Sequence, residues 1–261
     1  MFYRELAATP DFAALVMSFW EFKVSEKAVG DLVHEVFPDG CISLFLYQNP
    51  RLKRSSLLIS ELAMESIRVP VFAGDLFWGA RLSPAACRAV LGCAPENIVK
   101  QPAYLVQHLA SRIAELQTEF DNCSDFAEAI KIFEILLASL CLKTSQIDEK
   151  VHRATHFIEE NLASVKVSEV AAAIRLSTRQ LERRFRCAAG LSPKQYIRAR
   201  RIRATAVNLV KNQAANWAER AAESGFADQS HLVHEFIVVT KRTPAGFAKK
   251  VAKIEHGQFV E

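Results

Sequence analysis

The sequence has no apolar run approaching the roughly 18 residues that a membrane-crossing helix requires. Its start, Met1-Phe2-Tyr3-Arg4-Glu5, lacks the basic-then-apolar layout of a secretory signal, so a cytoplasmic location is expected. The six cysteines form no CxxC pair and repeat no spacing, which argues against disulfides and against a zinc ribbon. Cys87 and Cys93 lie close together, but they read first as buried or half-buried thiols. There is no His-x-His box, and the histidines before residue 150 are His34 and His108 alone, so no metal site is expected. GxSxG and GxGxxG are also missing. The chain is therefore expected not to be an enzyme and to need no cofactor.

What is present is the composition of a globular protein: 50% hydrophobic and 24% charged over 261 residues. The net charge of +4 conceals an asymmetry. Residues 1–150 carry 14 Lys/Arg and 19 Asp/Glu, a balance of −5, whereas residues 151–261 carry 19 and 10, a balance of +9. A basic module joined to an acidic one points to a polyanion as partner of the former.

The first 80 residues alternate short apolar runs with turn signals. Val33–Phe37 leads into the turn Pro38-Asp39-Gly40, and Cys41–Tyr47 reads as a buried strand. Leu57–Ile59, Ile67–Phe72 and Leu76–Ala80 continue the pattern, which predicts a small sheet or barrel. From Ser83-Pro84 the period becomes helical, with Ser83 as an expected N-cap. Ala103–Leu116 and Asp125–Leu142 form an expected helical pair. The polar stretch 143–150 reads as a linker.

Beyond it, Val151–Asn161 is amphipathic. Val167–Phe185 then reads as a short alanine-rich helix capped by Ser168, a corner at Arg175-Leu176-Ser177, and a second helix capped by Ser177. Alanines suit helices that cross closely. Leu181 and Phe185 would anchor the second helix, leaving Arg179, Glu182, Arg183 and Arg186 outward. This is the layout of a helix-turn-helix, whose second helix enters the major groove. Trp217–Phe236 repeats it, with Leu232 and Phe236 standing 51 positions after Leu181 and Phe185. The helix beginning near Tyr196 would join the two units.

Residues 151–252 resemble the DNA-binding domain of AraC/XylS-type regulators. The resemblance rests on Ser224-Gly225-Phe226-Ala227-Asp228-Gln229-Ser230-His231-Leu232, Phe236 and Thr243-Pro244 in the second unit. In the first it rests on Leu181, Phe185, Gly190-Leu191-Ser192-Pro193, Tyr196-Ile197 and Arg200-Arg201-Ile202. It implies two recognition helices on one face of double-stranded DNA, with bases read by Arg179, Glu182 and Arg183 and by Gln229, Ser230, His231 and His234. The chemistry of these side chains suits base reading, since arginine pairs with guanine, Gln229 with adenine, and Glu182 accepts from cytosine. Asp228 reads as a cap. The chain departs from the family at His234 and at Ile237-Val238-Val239, where basic residues are usual, so the first unit is expected to dominate affinity.

The expected fold class is α+β. Residues 1–142 would form a cupin-like β-barrel with a helical pair, acting as a sensor or dimerisation domain. Residues 143–150 would be the linker, 151–252 an all-α domain of two helix-turn-helix units, and 253–261 a tail. Phe37–Leu44 resembles a segment of such N-terminal domains. Phe45, Phe72 and Trp78 are candidates to line an apolar pocket. The resulting expectation is a cytoplasmic transcription regulator, in the family commonly an activator. Its expected partners are DNA, RNA polymerase, a second copy of the chain and a small-molecule effector. The alternative is a DNA-binding protein without a ligand, whose N-terminal half only dimerises or contacts another protein.

Overall fold

The computed structural model describes residues 1–30, 32–49, 51, 55–95, 107–140, 147–211, 217–252 and 254–256. The strands are β1 (Phe2–Ala7), β2 (Val16–Lys23), β3 (Leu32–Val36), β4 (Ser43–Gln48), β5 (Ser56–Ile59), β6 (Ile67–Val71), β7 (Leu76–Leu82) and β8 (Glu255–His256). The helices are α1 (Cys87–Leu91), α2 (Gln107–Glu115), α3 (Gln117–Asn122), α4 (Phe126–Leu140), α5 (Glu149–Glu160), α6 (Val167–Ala173), α7 (Thr178–Ala189), α8 (Pro193–Lys211), α9 (Trp217–Glu223), α10 (Gln229–Thr240) and α11 (Pro244–Val251).

The N-terminal half is β-rich, as expected, but among the described residues it does not close into a barrel. One sheet has the order β5-β4-β7-β2-β1-β8, and β3 pairs only with β6 in a separate two-stranded sheet. Closure would need a hydrogen-bonded seam between the two, and none joins them. Instead Phe22, Val24 and Val71 pack together across the gap as a small separate core.

Alternation along the strands gives the large sheet two different faces. The register pairs Leu44 with Ala80, Leu46 with Trp78 and Phe19 with Ala80, and these residues bury against the helices. The opposite face carries Tyr3, Glu5, Trp20, Phe22, Phe45, Phe77 and Arg81. Gly79 lies on that second face because the Trp20 indole crosses it; a Cβ there would stand 2.1 Å from the ring. On the packed side α4 buries Phe126, Ala129, Phe133, Leu136 and Leu137, each large apolar side chain worth about 1.5–3 kcal/mol.

The helical expectations shift at their edges. Ser83 starts a turn, its carbonyl accepting from the Ala86 and Cys87 amides, and α1 begins only at Cys87. The first expected helix is seen from Gln107 to Glu115; its residues 103–106 lie outside the described residues, as do residues 141–142 of the second and 143–146 of the linker. Asp148, at the linker's end, is the N-cap of α5, accepting from the Lys150 and Val151 amides. Apolar packing does not break at the linker: one buried cluster runs from Leu15 in the sheet half to Ile197 on α8. In the expected tail, β8 pairs in parallel with β1.

Candidate nucleic-acid interface

Both helix-turn-helix units turn the same corner. In the first, the Arg175 amide donates to Ala172 O (3.0 Å) and the Leu176 amide to Ala171 O (2.9 Å). In the second, Gly225 donates to Ala222 O (3.2 Å) and Phe226 to Ala221 O (2.8 Å). Arg175 and Gly225 both sit in the left-handed region, at φ 56° and 76°. These corners are 50 positions apart, whereas the anchors that follow are 51 apart. Ala227 is the extra residue, inserted between the corner and the cap Asp228.

Capping then sets where the second helix of each unit starts. Ser177 Oγ accepts from the Gln180 amide, and the Gln180 side chain reaches back to the Ser177 amide at 2.9 Å, a capping box. Asp228 Oδ1 accepts from the His231 amide at 2.7 Å, as its reading as a cap requires. At α6 the expected cap is displaced. Lys166, not Ser168, is the N-cap, and the Glu169 carboxylate accepts from the Lys166 amide at 2.9 Å. Ser168 lies inside the helix, because Val167 already joins it.

On α7, Leu181, Phe185, Ala188 and Ala189 are buried, with the Phe185 ring 5.4 Å from that of Tyr196. Arg179, Glu182, Arg183 and Arg186 are all exposed. On α10, Leu232, Phe236 and Val239 are buried, and Phe236 meets Phe247 edge-on at 5.3 Å. Gln229, Ser230, His231 and His234 are exposed. His231 is nevertheless turned toward its own corner: its Nδ1 accepts from the Ala227 amide at 3.3 Å and its ring stands edge-on to Phe226. Of the apolar residues standing where basic ones are usual, Ile237 is exposed, Val238 half-buried and Val239 buried.

The residues that fix one unit against the other stand in the sequence motifs, but their partners are not legible there. Arg201, on α8, donates to Leu162 O (2.8 Å) and Val165 O (3.1 Å) in the segment joining α5 and α6. Gly225 of the second unit packs so closely there that a Cβ would stand 2.0 Å from Ala163 O. Arg200 is buried and grips Glu159 with two nitrogens, at 2.7–3.0 Å, and Tyr196 donates to the same carboxylate. Arg198 pairs with Glu235 of α10. All three arginines belong to the Arg198–Arg203 run of the helix expected to join the two units.

The two units differ in where their remaining bases point. On α7, Arg184 is tied back to Asp148 at 2.9 Å. After α10, Arg242 and Lys250 both hold Glu35, at 2.8 and 2.6 Å, and Lys241 holds Glu65 at 2.8 Å. The Ser66 amide also donates to Val239 O at 2.9 Å. The acidic half thus neutralises bases of the second unit.

A cavity of about 570 Å³ lies between the second face of the large sheet, the β3–β6 pair, and helices α8 and α11. Of the three pocket candidates, Phe45 lines it. Trp78 falls on the opposite face of its strand, buried, donating to Glu21 at 2.8 Å. Phe72 follows β6 and is 62% exposed, outside the lining. Burial pushes the Glu5 carboxyl at the cavity wall upward, but Arg81 and Arg203 outweigh it and hold it at about 2. Burial, aided by Lys250 and opposed by Glu35, lowers the His34 imidazole to about 4.

Residues 170–250 match the family model described as a helix-turn-helix domain. This segment is an AraC-type helix-turn-helix domain. No curated protein matches the chain. Among solved structures, a transcriptional regulator with an AraC-type DNA-binding domain from Chromobacterium violaceum is 22% identical, covering 40% of this chain and 93% of its own, with a TM-score of 0.37. The C-terminal domain of the response regulator yesN from Fusobacterium nucleatum is 21% identical, covering 36% and 93%, with a TM-score of 0.35. ToxT from Vibrio cholerae is 13% identical, covering 88% of this chain and 95% of its own, with a TM-score of 0.45. Among the described residues, no helix is long and apolar enough to cross a membrane.

Proposed function

We propose that the protein is a sequence-specific transcription regulator that lays α7 and α10 into the major groove on one face of double-stranded DNA. The observation that carries this is the duplicated corner–cap–helix unit within the helix-turn-helix segment, each recognition helix burying one face and exposing the other. Arg179 and Arg183 donate to guanine, Glu182 accepts from cytosine N4, and Gln229 pairs with adenine. Arg186 lies a turn further along α7 and meets phosphate. Ser230 and His234 contribute at the second unit, and His231 serves its own corner first. With Arg242, Lys250 and Lys241 occupied by carboxylates, the first unit supplies most of the affinity.

The N-terminal half modulates this activity through a ligand. The supporting observation is that the cavity borders α8, the helix joining the two units, and α11 of the second unit. A ligand that binds one arrangement better than another shifts the balance between them. A second reading, in which the N-terminal half dimerises or contacts another protein, is favoured by Ile135, 57% exposed on the otherwise well-packed α4. Electrophoretic mobility shift with a fragment recovered from a random pool tests DNA binding; phosphate contacts release counterions, so affinity should fall steeply with salt. Salt-independent binding would oppose the proposal. Sedimentation of the full chain separates the ligand reading from the dimer reading.

A further inference from the structure

The cavity's walls carry aromatic rings, apolar helix residues and charged groups. Trp20, Phe45 and Phe77 form the first on the sheet, with ring centroids 6.0 Å apart for Trp20–Phe45 and 6.3 Å for Phe45–Phe77. Facing them are Ile202, Ala206, Val207 and Val210 of α8. The space falls in the range typical of small-molecule sites.

Each described base on these walls already holds an acid. Arg81 pairs with Glu5 and Asp39, Arg203 with Glu5, and Lys250 with Glu35. The imidazole on the same walls, His34, is kept neutral by burial and lies against Phe22, ring centroids 4.0 Å apart. An anion entering here would have to pull a base from its carboxylate, leaving that carboxylate buried and unpaired. Glu61 is different. It lines the same space, is half-buried, and no ion pair or hydrogen bond joins it to another described residue. A cation entering here meets both the Glu61 carboxylate and ring faces whose quadrupole attracts it.

We propose that this cavity is an effector site for lipophilic cations: bulky apolar or aromatic molecules carrying a quaternary or protonated nitrogen, or an equivalent onium centre. The inference rests on the reading of the N-terminal half as a ligand-responsive module. The apolar body of such a molecule fills the gap between the sheet and α8, and its charge is matched by Glu61 and the Trp20, Phe45 and Phe77 rings. Because Arg203 and Lys250 lie on the same wall, an occupant bears directly on the Glu5–Arg203 and Glu35–Lys250 pairs that hold the second helix-turn-helix unit to the sheet half.

Tetraphenylphosphonium and tetraphenylborate, nearly the same shape with opposite charge, provide the test. Titration calorimetry on the full chain should show tetraphenylphosphonium binding at least tenfold more tightly than tetraphenylborate. Glu61→Gln should narrow that ratio severalfold while leaving DNA binding as in the unsubstituted protein. Val207→Trp, which fills the cavity from α8, should weaken tetraphenylphosphonium binding without abolishing the folded state seen by circular dichroism. Equal or tighter binding of tetraphenylborate, or a ratio unchanged in Glu61→Gln, would overturn the cation assignment while keeping the cavity as a ligand site. Binding of neither probe by protein that still shifts DNA would overturn the effector site itself and leave the DNA-binding proposal standing.

Discussion

Replacing Gly225 with alanine puts the geometry between the two helix-turn-helix units under direct strain. Gly225 has φ 76°, where a Cβ-bearing residue is disfavoured by about 1–2 kcal/mol. The added methyl would also stand 2.0 Å from Ala163 O, a backbone atom that cannot swing aside. The neighbouring carbonyls of Leu162 and Val165 are held by Arg201, so yielding means moving the α5–α6 segment as well. Overpacking of this kind costs about 1–3 kcal/mol, giving a total of about 2–5 kcal/mol. Urea unfolding of Gly225→Ala and the unsubstituted chain at equal m-value reads this as a shift in midpoint. Arg175→Gly is the matched control, since the first corner holds a non-glycine residue at φ 56°. That change should lie between neutral and a gain of about 1 kcal/mol. A loss under about 1 kcal/mol in Gly225→Ala, or an equal loss in Arg175→Gly, would refute the close-packed corner.

Three further outcomes follow from the same structure. Arg183→Ala should weaken DNA binding more than His234→Ala, by about 1–3 kcal/mol for a lost bidentate base contact, as read by mobility shift; the reverse order would contradict first-unit dominance. Glu35→Gln should release Arg242 and Lys250 toward phosphate and steepen the salt dependence of DNA binding by about one or two counterions; an unchanged slope would show those bases already engaged or out of reach. His34 is held at about 4 in the fold against an ordinary 6.5, so the stability it confers is full above pH 6.5 and is lost as pH falls toward 4. The loss is about 3 kcal/mol across that window, with Lys250 and Glu35 as the facing charges, and His34→Phe should flatten the slope in urea midpoints between about pH 7 and 4.5; an unchanged slope would assign the titration elsewhere.

The helix-turn-helix units are legible in the sequence because local signals agree. Ser177 and Gln180 form a capping box within four residues, the alanines mark a close crossing, and the Leu–Phe pair repeats. Even there, Ser168 has the chemistry of a cap without the place, since Lys166 takes it by using the Glu169 carboxylate. The inserted Ala227 shows only once the corners are known, although the 51-position anchor offset carries it. The N-terminal half is legible as strands but not as sheets. Phe45 and Trp78 look alike in sequence, yet the β4–β7 register sends one to the cavity and the other to the packed face; where both faces are apolar, alternation cannot choose. Whether the strands close into a barrel depends on pairing between distant segments, and β3–β6 pairs apart. The Glu35–Arg242 contact joins residues 207 positions apart, beyond any local signal. Of the buried ion pairs, the sequence offers only the charges, not the partners.

Binding-site selection from a random DNA pool with the full chain tests the proposed function most directly. The expected result is an enriched site with two clusters of informative bases about one helical turn apart, roughly 10 base pairs centre to centre. Arg183→Ala should erase preference within one cluster and spare the other. A pool that yields no enriched site, or one cluster indifferent to Arg183, would contradict two recognition helices reading one face of the duplex.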